Sequence, residues 1–598
     1  MRTLRQPSFA ARVAVAVCVA GLAGCSPSDP PTGPASSGGS AGTGNTGADG
    51  GTGNSAGSVP TGGTSSAGTS AGGSTGGGPA GSGGGVTLPP GTEHPSLLPA
   101  RIRRMTNAEY AASVKALLGV DLPADVAFPP DSRQDGFTRN DAQRVDPVFA
   151  IELDQTAIAV AAAARPRFGE IAPCADGEPG DACAQAFIAS FGERAYRRPL
   201  TDAEKAGLLT VYQTGAEGAD YADGIELVIR AVLQSAGFLY VTELGDGSAS
   251  DPIVLAPHEV AASLSYLILA EPPDATLMEA VRTGALATPE ERLAQADRLL
   301  ASAGPVPPTV LRTLREWLGV DRIGQIAKDS NVYPTFETLK PEIAAEPDAF
   351  FTHLIAESTG TVGELFAADW TVAGPNLADF YGVPRAAGGT GRVSLAGTTR
   401  RGLLNQAAFL AVNAHAHESA PVFRGVEVLK RVMCRPPLSP TALNIMVVPP
   451  VPDPNKTTRE RFEIHSTDPS CAGCHLEIDG VGFTFEGFDG MGEARTTEGD
   501  AQIPIDSSTV LAVESPFDGE YPDSAALALV LSQSAEVRAC FARHLFRSAA
   551  ARSDTGVKPT EDAFVAEWQA NALAEGGNII ESLRAYIASP LFAYRRAQ

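Results

Sequence analysis

Cys471-Ala472-Gly473-Cys474-His475 sets two thiols three positions apart, with an imidazole directly behind them. On a helix that spacing puts the sulfurs one turn apart on one side, which matches the two vinyl groups along one edge of a haem. The adjacent histidine can swing under the porphyrin and bind iron through a ring nitrogen. This C-x-x-C-H pattern is the c-type haem attachment spacing. With 8 Cys and 8 His in 598 residues, it arises by chance in about one chain in several hundred. Two other chemistries use a C-x-x-C pair. A thioredoxin-like dithiol needs a βαβ setting, which the flanking residues lack. A structural zinc site needs four ligands, and His465 is the nearby histidine that could join the cluster.

The expectation is therefore one covalent haem c, with thioethers on Cys471 and Cys474 and His475 as proximal iron ligand. The sixth iron position decides the chemistry, because a thioether raises the potential, a second imidazole lowers it, and an open site admits peroxide or O₂. Met491, sixteen residues beyond His475, and His415 are the leading distal candidates; His417, Met446 and His465 are the others. Met446 sits in an apolar run that also reads as packing, and His465 also reads as a helix-surface or capping residue. Arg424 and Arg495 could pair with haem propionates through bidentate contacts, although a solvated salt bridge is the ordinary use of such residues. His544, at helical spacing among aromatics, reads as core.

Helices must position these groups. Thr106-Asn107-Ala108-Glu109 and Thr201 to Glu204 are capping boxes, and Tyr110, Val114, Leu117 and Leu118 share one face before Gly119. Further helical periods run over 256–270, 289–302, 308–318, 341–357, 402–413, 522–532, 535–550, 561–574 and 578–588. Strand signals are sparse, with a short hairpin near Gln502-Ile503-Pro504-Ile505. The prolines from Pro436 to Pro454 form an extended connector.

Arg2, Arg5 and Arg12 precede a short apolar stretch ending in Leu22-Ala23-Gly24-Cys25. That stretch suits a secretory signal, and its end resembles the bacterial lipoprotein cleavage box, which implies lipidation of Cys25 and an outer-membrane anchor. From Ser26 to about Val86 the chain is nearly all Gly, Ser, Thr, Ala and Pro and holds about a third of the 63 glycines. Such a segment cannot bury apolar surface and reads as a disordered tether. After the N-terminus no run of about eighteen apolar residues reads as a membrane span. The net charge of −24 argues against nucleic acid, which demands clustered positive charge. In an oxidising envelope the remaining cysteines should pair: Cys174 with Cys183 across a turn-rich loop, and Cys434 with Cys540 at long range.

Arg103 to Tyr110, Arg194 to Thr201, Glu259 to Leu267, Glu316 to Gly319, Ser419 to Gly425 and Cys471 to Phe488 together resemble a large bacterial multi-domain family. Its central module is the domain of unknown function 1592, and its C-terminal part carries a cytochrome c-like haem motif. The resemblance covers about 95–598 and implies that His415 is the counterpart of a histidine many members place before this loop. The expected architecture is mainly α: a signal peptide over 1–24, a linker over 25–92, and helical domains over 93–248 and 249–435. A haem-binding helical domain over 436–598 completes it. The expected function is a lipid-anchored, cell-envelope c-type haem protein that passes electrons to a redox partner protein. A haem-dependent periplasmic oxidoreductase and a non-redox surface binding or scaffold protein are the alternatives.

Overall fold

Thr106 and Glu109 form a reciprocal capping box that opens α1 (Asn107–Leu118), and Gly119 ends it at φ 68°, a conformation glycine reaches without steric cost. The computed structural model describes residues 97–597 except 125, 127, 175–178, 248–250, 439–452, 500, 513–514 and 553–576, and omits the side chain of residue 470. The signal peptide expected over 1–24, the linker expected over 25–92, Cys25, Met446 and the helix expected over 561–574 lie outside the described residues.

The chain is mainly α, as expected, with a few short two-stranded pairs. After α1 come α2 (Pro147–Ala164), α3 (Asp181–Tyr196), α4 (Asp202–Ala216) and α5 (Tyr221–Leu233). The second capping box, Thr201 with Glu204, opens α4. Tyr110 and Val114 of α1, Phe187 and Phe191 of α3, and Ile225, Val228 and Ile229 of α5 meet in one buried core. Strand β1 (Arg101–Arg104) pairs antiparallel with β2 (Tyr240–Glu243) and joins the two ends of this unit. One detail departs from expectation. Residues Pro147–Ile171 do reach the length and apolar content of a membrane span, at mean hydropathy 1.3. Phe149, Leu153, Ala157, Val160 and Ala161 of that helix pack into the core, so its alanine-rich face serves helix packing.

A second, larger core takes in Leu97, Leu98 and Phe137 and then residues from Leu255 to Ala593. It is built by α6 (Pro257–Ile268), α7 (Pro289–Ser302), α8 (Pro308–Trp317) and α9 (Phe336–Glu357), by β3 (Trp370–Ala373) paired with β4 (Gly391–Ser394), and by α10 (Ala407–Val412) and α11 (Pro421–Arg431). Helices α12 (Thr458–Thr467), α13 (Pro469–Gly482), α14 (Ser524–Gln533), α15 (Ala535–Ala549) and α16 (Ile579–Ala588) complete the order. Trp317 meets Phe541 edge-on at 5.0 Å and donates its indole N–H to the Arg431 carbonyl at 2.8 Å. The expected hairpin is present as Ile503–Pro504 paired with Thr497–Glu498. Helix α9 starts at Phe336 rather than at Pro341 and carries Pro341 and Pro347 inside it. An interior proline costs about 3 kcal/mol; burial of Phe336 and Leu339 in the core offsets it.

Buried ion pairs bind the first unit to the second. Glu243 accepts from Arg595 at 2.8 Å and Arg101 at 3.2 Å, with Arg552 at 3.5 Å. Burial alone would raise its pKa, but Arg101, Arg595 and Arg552 hold the carboxyl well below the usual range. Glu109 gathers Arg103 and Arg139, and Arg139 donates onward to the Ser548 carbonyl at 2.8 Å on α15.

Glu346 is the opposite case. It is buried on α9 and accepts from Thr371 and the Tyr381 hydroxyl, each at 2.7 Å. Burial pushes it up to about 7, against those hydrogen bonds and Arg400. The folded chain thus keeps a proton that the unfolded chain has released above about 4.5, so stability falls as pH rises through that window. The slope is at most ~1.4 kcal/mol per pH unit. Chemical denaturation of wild type and Glu346→Gln at pH 5 and pH 8 is expected to show a flatter pH dependence in the variant; parallel curves would remove Glu346 as the source.

Candidate functional site

Helix α12 opens on a capping box of Thr457 and Glu460 and ends at Asp468, whose carbonyl accepts the Cys471 N–H at 3.0 Å and the Ala472 N–H at 2.9 Å. The chain therefore turns straight from α12 into α13, and the C-x-x-C-H motif occupies the first turns of α13. Cys471 and Cys474 lie half-buried one turn apart and keep their thiols, and Cys474 packs against the larger core. The remaining described cysteines are disulfides: Cys174–Cys183, with Cα atoms 5.3 Å apart, and Cys434–Cys540, at 5.5 Å.

Two glycines set the position of α13. A Cβ on Gly425 of α11 would run into the Ile478 carbonyl, and one on Gly482 would run into the Pro421 carbonyl. The helices consequently cross backbone to backbone, with Ile478 and Val481 buried between them and the core. Arg424, wholly buried, sits beneath this crossing. It donates to the carbonyls of Phe485 and Phe488 at 3.0 Å, Asp489 at 2.5 Å and Leu410 at 3.2 Å. Burial lowers its pKa to about 10, partly opposed by Glu486. Arg495 pairs with Glu486 at 2.9 Å and with Ser419 at 3.0 Å. Both guanidinium groups are thus engaged by the protein: Arg424 is buried on backbone carbonyls, and Arg495 is in a partly exposed ion pair.

His475 stands on the same face of α13 as Asp479, one turn on. Its Nδ1 lies 3.0 Å from Asp479 Oδ1, and the two side chains are 21% and 5% exposed. A carboxylate only accepts, so Nδ1 carries the proton and Nε2 keeps the lone pair that a metal uses. The ring of His465, reaching across from α12, lies 4.1 Å from that of His475, centroid to centroid. Its Nδ1 faces Asp479 Oδ2 at 3.7 Å, and both of these buried atoms are without a hydrogen-bond partner. Burial, and then His475, lowers the His465 pKa. The ligand atoms of His465, His475 and Asp479 lie within 4.8 Å of one another.

These features fit a covalently held haem. Two thiols stand one turn apart beside an imidazole whose second nitrogen is already committed. Ile464 on α12 and Leu476, next to His475 on α13, are apolar and more than half exposed. The distal candidates lie elsewhere. His415 packs on Phe423 at 4.9 Å, and Lys328 donates to its carbonyl at 2.8 Å. Met491 is buried in the larger core, its sulfur 4.0 Å from the Thr335 hydroxyl. Among the described residues, the ring and polar partners of His475 are His465 and Asp479, not His415 or Met491. Asp479 is not among the residues that the motif singles out, although the His475-x-x-x-Asp479 spacing is the i,i+4 relation that pairs side chains on a helix. The other Cys–His grouping, Cys434, Cys540 and His544, has its sulfurs spent in a disulfide, with His544 Nε2 3.9 Å from Cys434 Sγ.

Four family models match the chain, each described as a protein of unknown function: DUF1587 over residues 103–166, DUF1595 over 183–243, DUF1592 over 255–383 and DUF1588, also named PSCyt3, over 400–498. The last span encloses the C-x-x-C-H motif, His415, His465 and Met491. No curated protein and no solved structure matches.

Gly425→Val is expected to wedge α11 away from α13 at a cost of about 1–3 kcal/mol, read as a lower thermal midpoint. An unchanged midpoint would show that the helices separate without penalty.

Proposed function

We propose that this chain, which belongs to the multi-domain family composed of these four domains of unknown function, is a cell-envelope electron carrier with one covalent haem c. The observation that carries the reading is the arrangement on α13: two half-buried thiols one turn apart and His475 with Nδ1 bound by Asp479. In the loaded protein Cys471 and Cys474 hold the cofactor as thioethers, and His475 Nε2 binds the iron. The haem supplies one-electron ferric–ferrous chemistry. The protein's own groups fix the ring orientation, bury one edge of the site against α11, and hold the tautomer. The name of the model over 400–498 supports the same reading. So do the two disulfides, which belong to oxidising compartments. Attachment to the outer membrane through a lipidated Cys25, with a protein redox partner, completes the proposal.

Of the two distal candidates, His415 is the more available, since its ring is only partly covered while Met491 is committed to the core. The expected outcome is that His415→Ala changes the optical spectrum of the haem and Met491→Ala leaves it unaltered.

A second reading is favoured by the clustering of His465, His475 and Asp479: a single divalent ion on two imidazoles and a carboxylate. One preparation separates the two. Protein exported in a host that attaches haem c should give a covalent haem band on a denaturing gel, lost in Cys471→Ser/Cys474→Ser. A protein with no haem band carrying one equivalent of zinc, lost in His465→Ala, would overturn the haem reading in favour of the second.

A further inference from the structure

The buried carboxylate of Asp479 has more to do than orient a ring. It is 5% exposed, lies between two imidazoles, and uses one oxygen on His475 Nδ1 at 3.0 Å. The other oxygen faces His465 Nδ1 at 3.7 Å, beyond hydrogen-bond length, and has no partner. Among the described residues no arginine or lysine forms an ion pair with it: its charged contacts are the two histidines. Its negative charge is therefore directed at His475 rather than neutralised by a guanidinium, unlike Glu243 or Glu109. The ring of His465, itself covered edge-on by Phe462 at 5.0 Å, covers one side of the His475–Asp479 pair.

We infer that Asp479 is the positioning residue that sets the reduction potential of the site, by drawing the Nδ1 proton of His475 toward its carboxylate; this rests on the haem reading above. A carboxylate on the far nitrogen makes the bound imidazole a stronger donor. A stronger donor favours the more highly charged ferric ion over the ferrous one, so the carboxylate lowers the potential. In this chain the low-dielectric setting strengthens the effect, because the carboxylate is out of water and its charge is unscreened. Asp479 thereby biases the protein toward giving electrons away.

The experiment uses full-length exported holoprotein, wild type, Asp479→Asn and Asp479→Glu, each checked first for a covalent haem band and then titrated against redox mediators. Asparagine retains an oxygen acceptor at nearly the same place and removes the charge. Its ferrous-to-ferric ratio at a fixed poise should rise at least about tenfold, a positive shift of ~59 mV for one electron. Glutamate, which restores the charge, should return the potential toward the wild-type value. Equal potentials in wild type and Asp479→Asn would overturn the inference while leaving the haem reading intact. A wild-type protein with no haem band would sink the haem reading itself. If Asp479→Asn does not load haem, the wild-type ferrous protein decides the matter. Its proton NMR spectrum should contain a slowly exchanging, downfield imidazole N–H that disappears in His475→Ala prepared in parallel, and its absence in wild type overturns the inference.

Discussion

Gly425 and Gly482 let α11 and α13 touch at the backbone, and the placement of every group at the site follows from that contact. Any side chain larger than hydrogen at either position would collide with a carbonyl of the facing helix, and carbonyls on a helix do not step aside as a lysine tip would. With the crossing fixed, Ile478 and Val481 enter the larger core, Cys474 is drawn to its margin, and the opposite face of α13 turns His475 toward α12. The short connection at Asp468 then leaves α12 little choice but to lie beside α13, which brings His465 against His475.

Charge is handled differently in the frame and at the site. In the frame, several carboxylates out of water are matched by guanidinium groups: Glu243 with three arginines, Glu109 with two, and Asp135 with Arg431 and Arg547, while Glu346 is met by two hydroxyls. Such pairs do little for net stability, since desolvation consumes most of their attraction. What they do is penalise any arrangement that separates the partners, so that β1, β2, α15 and the short strand Tyr594–Arg595 keep one register. Arg424 works alike with carbonyls in place of carboxylates, holding the turn at 483–489 under α11. Asp479 is buried with no arginine or lysine paired to it among the described residues. A carboxylate left in that state beside an imidazole is expensive as architecture and useful as chemistry.

Local signals in the chain were readable wherever one element supplies its own reason. The capping boxes at Thr106 and Thr201 satisfy amides within three residues, and Gly119 ends a helix by its own backbone freedom. The C-x-x-C-H motif is similarly self-contained, because helical spacing alone separates the two sulfurs. Pro341 misled for the same reason: its local preference marks a helix start, but Phe336 and Leu339 gain enough from burial to carry the helix back past it. Arg424 and Arg495 looked like surface charges available to a ligand, and only the folded chain shows the carbonyls and the carboxylate that engage them.

The amino-acid sequence by itself settled the helical class of the body and the spacing of two thiols and an imidazole, since both follow from periodicity and from contacts within a few residues. It also pointed to Cys174 with Cys183 and Cys434 with Cys540. The i,i+4 spacing also sets Asp479 beside that imidazole, but the second ring against it and the burial of the pair were decided by the tertiary structure. His465 reaches His475 through the approach of one helix to another, and the exposure of Asp479 to water depends on what is packed over it, so neither is encoded in the spacing of neighbours along the chain.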